Sequence, residues 1–93
     1  MTAPRRDILV AFDTPSDRRR RRITRLLAHY GVRVQKSVFR VQLTPRELEG
    51  LWHDLQRVCL PEEDALLLAQ IAPTGYRALG PQPELELPLT VGF

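Results

Sequence analysis

Between Asp7 and Arg22 the chain reads D-I-L-V-A-F-D-T-P-S-D-R-R-R-R-R: an apolar run, a lone acid, a polar turn and five consecutive arginines. An uninterrupted run such as Ile8 to Phe12 predicts a strand buried on both faces, over about Asp7 to Phe12. Asp13 then emerges where a buried element meets water. Pro15 cannot continue a central strand. Ser16 is placed to cap a helix, and Asp17 in its first turn suits the helix dipole. That helix is predicted from Asp17 to Tyr30, with Gly31 closing it. Ile23, Leu26, Leu27 and Tyr30 form its apolar stripe. Residues turn about 100° each on a helix, so Arg18 to Arg22 go right round it. Arg19 falls on the core stripe, four before Ile23, and must snorkel out at the helix start, towards Asp13.

The remaining elements follow from similar signals. Val32 to Leu43 is rich in β-formers, but Val32 and Val34 are apolar at even positions and Phe39, Val41 and Leu43 at odd ones. A bulge, kink or strand break at Lys36–Val38 is therefore expected, in one bent strand or two short ones. Thr44-Pro45-Arg46-Glu47 sets a capping box with proline at the first helical position. Leu48, Leu51, Trp52, Leu55 and Cys59 are the predicted buried face of that second helix, which Pro61 closes. Ala65 to Ala72 reads as another strand buried on both faces. Beyond a Pro/Gly loop, Leu85, Leu87, Leu89, Val91 and Phe93 alternate, and Pro88 restricts this segment to an edge strand. The order is that of an α+β, ferredoxin-like βαββαβ sandwich. Its domain would span 1–80, with 81–93 an extra C-terminal edge strand free to pair with another chain.

A chain of 93 residues makes one small domain of limited core, for which oligomerisation is a fair expectation. One cysteine excludes an intrachain disulfide and a cysteine-based zinc cluster. Without a signal peptide or an apolar run near 20 residues, the expectation is a cytoplasmic protein with no membrane partner. The net charge of +3 is unevenly spread. Residues 1–40 carry eleven basic groups against three acids, and residues 41–93 carry three against eight. This polarity predicts one basic face, the footprint of a polyanion, although a solvated arginine face would look the same.

Asp13 is the leading candidate for chemistry; the alternative is an acid capping the turn through Thr14–Ser16. One carboxylate holds magnesium only weakly, since that ion takes one or two carboxylates with waters and substrate phosphates. A twofold dimer would bring a second Asp13. The arginines lie within an amphipathic helix, so they are structured charge, and Arg33, Lys36 and Arg40 add to it. With few aromatics and without the aromatic strand signature of RNA-recognition domains, backbone contact is favoured over base reading. Ser37 has no histidine paired to it, His29 and His53 lack metal-ligand spacing and read as surface residues, and no glycine-rich phosphate loop exists.

Several segments together resemble the small CRISPR-associated endonuclease family that works beside the CRISPR integrase in spacer acquisition. They are V-A-F-D at Val10 to Asp13, R-R-R-R-I-T-R-L-L at Arg19 to Leu27, G-V-R-V-Q-K-S-V-F at Gly31 to Phe39, T-P-R-E-L-E-G-L at Thr44 to Leu51 and P-E-E-D at Pro61 to Asp64. The resemblance covers roughly Asp7 to Ala72. It implies a homodimer in which Asp13 of each protomer shares a divalent metal, Mg²⁺ or Mn²⁺, and in which the last strand crosses to the partner's sheet. It implies a metal-dependent endonuclease acting on RNA or double-stranded DNA, or a non-catalytic DNA-binding scaffold that bridges integrase dimers. Asp13 would be both catalytic residue and metal ligand. Arg18, Arg19, Arg20, Arg22, Arg33 and Lys36 would contact nucleic acid, with Phe12, Ser37 and Phe39 in support. Phe12 stands where the family commonly has tyrosine, and Thr14 where isoleucine is usual.

Overall fold

A computed structural model of the chain describes residues 4–72 together with 75, 77, 79 and 80. Six elements follow one another: β1 (Arg6–Asp13), α1 (Asp17–Ala28), β2 (Gly31–Gln35), β3 (Val38–Leu43), α2 (Pro45–Val58) and β4 (Ala65–Ile71). The four strands form one sheet in the order β2-β3-β1-β4, every neighbour antiparallel. β1 is thus central, and each helix crosses over between strands that do not touch. This is the expected ferredoxin-like α+β arrangement. The expected edge strand, 81–93, lies outside the described residues.

Side chains alternate across a strand, and the alternation here separates two different faces. Ile8, Val10 and Phe12 of β1 and Phe39, Val41 and Leu43 of β3 face the helices, where Ile23, Leu27, Leu51 and Leu55 complete the buried core. The opposite face of β1 carries Asp7, Leu9, Ala11 and Asp13. By register, Val38, Ala11 and Leu67 lie in one row across the sheet, and Arg40, Leu9 and Ala69 in the next. No described element covers this face, and Leu67 is 64% exposed on it. The expectation that β1 and β4 are buried on both sides is therefore corrected for the single chain, in which helices cover one side only.

Two local expectations, on Gly31 and on Trp52, are also revised, and the strand break expected at Lys36–Val38 is present. α1 stops at Ala28 with His29 as a right-handed cap, and Gly31 is the first residue of β2. A Cβ on Gly31 would sit 2.0 Å from the Arg40 carbonyl oxygen, so glycine there permits close approach of β2 and β3 and is not a left-handed helix stop. The phase change in 32–43 has two sources, a turn at Lys36–Ser37 separating two strands and a register shift between Arg33 and Gln35. Trp52, expected in the core, is 37% exposed beside β4, while Leu51 and Leu55 hold the buried line of α2. The capping box forms as read: Glu47 N–H donates to Thr44 Oγ1 at 3.2 Å, and Thr44 N–H donates to Glu47 Oε1 at 2.9 Å. The Thr44 backbone bond is the main reason the Glu47 carboxyl lies below its usual range.

Candidate active site

Asp13 ends β1 opposite Ala65, exposed and on the open face of the sheet. Its carboxylate makes no ion pair with any described residue. Phe12, one residue earlier, points the other way, into the core, where its ring stacks with that of Phe39 at 6.4 Å between centroids. These two rings pack behind the end of β1, on the helix side of the sheet. The β2–β3 turn reaches the same end of the sheet, because Phe12 N–H donates to the Ser37 carbonyl at 3.0 Å. Ser37 and the exposed Lys36 are thereby brought near Asp13. Arg33 is not: its guanidinium lies 5.7 Å from the Phe39 ring centroid on the helix side, with a buried Nε that has no hydrogen-bond partner.

The arginine run divides by what each residue touches. Arg19 does not turn towards Asp13 as expected. Its Nε donates to Asp64 Oδ2 at 2.7 Å, and its Nη2 donates to Asp64 Oδ1 at 3.1 Å and to Glu63 Oε1 at 2.7 Å. Asp64 also accepts the Leu60 N–H at 2.8 Å. The Asp64 side chain is only 1% exposed, yet its carboxyl is pulled down to about 2, first by Arg19 and then by the Leu60 amide and the Thr14 hydroxyl, against the opposing effect of burial. Thr14 can serve Asp64 in this way where an isoleucine could not. Arg20 folds back on the turn after β1, donating to the Thr14 carbonyl at 2.7 Å and pairing with Asp17. Arg18, Arg21 and Arg22 remain exposed on the outside of α1. Arg20 thus braces the β1–α1 turn and Arg19 ties α1 to the segment between α2 and β4, while three are left for solvent or a ligand.

Sequence reasoning missed two acids with structural partners. Asp64 was visible only as part of P-E-E-D, with nothing to link it to Arg19. Asp7 is buried on the otherwise open face, where Arg40 Nη2 pairs with its Oδ1 at 2.7 Å and Gln42 Nε2 donates to the same oxygen at 3.0 Å. Alternation along β1 puts Asp7 and Asp13 on one face, but only the neighbouring strand shows that Asp7 is neutralised and Asp13 is not. Among the described residues there is no cluster of three or more metal-ligating side chains. Among the described residues, Asp13 alone offers an uncommitted carboxylate at a strand end.

Residues 6–78 match the family described as CRISPR associated protein Cas2. The chain belongs to the Cas2 family. It is 41% identical over 78 residues to the CRISPR-associated endonuclease Cas2 2 of one strain of Thermus thermophilus, covering 83% of this chain and 87% of that protein. It is 39% identical over 66 residues to the CRISPR-associated endoribonuclease Cas2 of another strain of the same species, covering 71% of this chain and 70% of the relative. The crystal structure of Streptococcus pyogenes Cas2 superposes with a TM-score of 0.73 at 27% identity, over 80% of this chain and 99% of that one. The Cas2 match spans every element from β1 to β4. Asp13, the uncommitted acid, therefore lies in the shared part of the fold.

Proposed function

We propose that this chain is a metal-dependent endonuclease of CRISPR spacer acquisition, acting on phosphodiester bonds of RNA or double-stranded DNA as a homodimer. The observation that carries the reading is Asp13: an exposed, unpaired carboxylate at the end of the central strand, on the one sheet face that no described element covers. The names of the Thermus relatives, endonuclease and endoribonuclease, support the reaction class. The dimer follows from the open face. β1 and β4 have sequences suited to burial on both sides, and Leu9, Ala11, Val38, Leu67 and Ala69 form an apolar surface that a second copy would cover. Asp13 sits at the end of that surface, so a twofold axis nearby would bring two carboxylates together.

Two Asp13 carboxylates suit magnesium or manganese, which bind through few carboxylates and keep positions for water and phosphate. Such an ion, when bound, would polarise the phosphate and lower the pKa of an attacking water. Asp13 would hold it, and Lys36 would offer charge to the backbone at the same end of the sheet. Arg19 and Arg20 would act indirectly, by fixing the turn from which Asp13 emerges. The test is Asp13→Asn with purified protein, RNA and duplex DNA. Cleavage should fall by at least about 100-fold, the scale of losing a principal electrostatic partner in the transition state. EDTA should abolish it in the parent. Cleavage untouched by either would remove the nuclease reading.

A second reading, a DNA-binding scaffold for the CRISPR integrase, is favoured by the separation of α1's outward arginines from Asp13. In that case Asp13→Asn would leave DNA binding and spacer acquisition intact, while charge reversal at Arg18 and Arg22 would abolish both.

A further inference from the structure

The acids that precede β4 stand directly behind the end of β1. Antiparallel pairing sets Asp13 opposite Ala65, so Thr14 and Asp64 are the next residues beyond that pair. Asp13 faces the open side of the sheet, whereas Thr14 and the Asp64 side chain are buried. The segment between α2 and β4 is held as a turn on Leu60. The Leu60 carbonyl accepts the Glu63 and Asp64 N–H groups at 3.0 and 2.8 Å, and the Leu60 N–H donates to Asp64 Oδ2 at 2.8 Å. Arg19 closes the cluster from α1, donating to both Asp64 oxygens and to Glu63. Two carboxylates and one guanidinium are therefore fixed one ladder step from Asp13, and no ion pair joins any of them to it.

We propose that the Arg19–Asp64–Glu63 cluster tunes the divalent-cation affinity of Asp13 through its charge: Asp64 and Glu63 cancel the Arg19 cation behind the end of β1 and leave one negative charge in surplus. This rests on the reading of Asp13 as a metal ligand but not on cleavage. The three are not ligands themselves, because Arg19 and the Leu60 N–H occupy the Asp64 oxygens. Arg19 serves the fold by tying α1 to the α2–β4 segment, yet its charge opposes a cation nearby. The acids remove that conflict. Strands lie about 4.8 Å apart and residues rise about 3.3 Å, which puts the cluster roughly 12 Å from an ion held by Asp13. In water, one unit charge at that distance changes the affinity for a divalent ion by about threefold. An ion shared by two copies feels the change twice, and the factors multiply to about tenfold.

The experiment titrates Mn²⁺ into the full chain at low ionic strength, without nucleic acid, and reads the free ion by electron paramagnetic resonance. Asp13→Asn should abolish the site. Asp64→Asn should weaken binding by about three- to tenfold. Glu63→Gln should weaken it by about twofold; this side chain is 52% exposed, so the variant should keep its fold and decides the sign even if Asp64→Asn unfolds. Arg19→Gln should tighten binding by about three- to tenfold although it costs stability, and Arg19→Gln with Asp64→Asn should return to the parent's affinity. These differences should shrink in about 0.5 M salt, where screening acts within a few ångströms. A merely structural role predicts weaker or unchanged binding from every substitution, whatever the sign of the lost charge. Weaker binding by Arg19→Gln, or no change in any of the cluster variants, would overturn the proposal and leave Asp13 as the metal ligand. A parent that binds no Mn²⁺, or binds it equally well after Asp13→Asn, would remove the metal reading and this proposal with it.

Discussion

Arg19→Ala tests whether the arginine run is partly architectural. The Arg19 side chain is 17% exposed, and its guanidinium spends its bonds on Asp64 and Glu63. A carboxyl that titrates at about 2 when folded and at 3.8 when free contributes up to ~2.5 kcal/mol at neutral pH. Arg19 supplies the largest part of that depression, but the Leu60 amide and the Thr14 hydroxyl remain in the variant. Removing one partner of a fully buried pair costs about 3–5 kcal/mol, and the partial exposure of Arg19 brings this down. The expected loss is smaller than that and shows as a Tm lowered by several degrees. Because the folded pKa of Asp64 is depressed, its stabilisation is complete above about pH 4 and is lost as pH falls towards about 2. Thermal melts by circular dichroism should therefore show a wide gap between parent and variant at pH 7 that narrows by pH 2.5. Arg18→Ala, on the exposed side, should stay within about 0.5 kcal/mol of the parent. A loss under 2 °C at pH 7, or a gap that does not change with pH, would refute the role assigned to this pair.

Two more substitutions probe the sheet. Gly31→Ala would place a Cβ 2.0 Å from the Arg40 carbonyl oxygen and 2.8 Å from Val41 Cα, both backbone atoms, so β2 must shift. Urea unfolding should show a loss of about 3 kcal/mol, and a neutral result would mean that the two strands have room to separate. Leu67→Glu places a charge on a side chain that is 64% exposed in the single chain, so it should spare the protomer fold. Light scattering should then find a monomer, against the dimer proposed for the parent, and a dimer that survives the substitution would move the interface off the open face.

Much of this fold could be read residue by residue. The capping box at Thr44 and Glu47, the serine cap at Ser16 and the apolar stripe of α1 depend only on neighbours within a helical turn, and each formed as expected. The phase change after Val34 was legible as a break, though not as a turn combined with a register shift. Gly31 was misread because its constraint comes from Arg40, a residue across the ladder. Trp52 was misread because helical spacing marks the apolar stripe but not its width against the sheet. Asp13 was legible as a site candidate, since an acid at the end of an apolar run must reach water.

The sequence on its own determined where strands and helices begin, which faces are apolar, and that positive charge gathers on the first helix. The tertiary structure alone decided which charges are spent. Arg19 meets Asp64 across 45 residues of chain and Arg40 meets Asp7 across 33, and no local pattern marks either pair. Hydrogen bonds and ion pairs act over a few ångströms in space, whereas periodicity and capping act over a few residues in sequence, and only the sheet order β2-β3-β1-β4 converts one into the other.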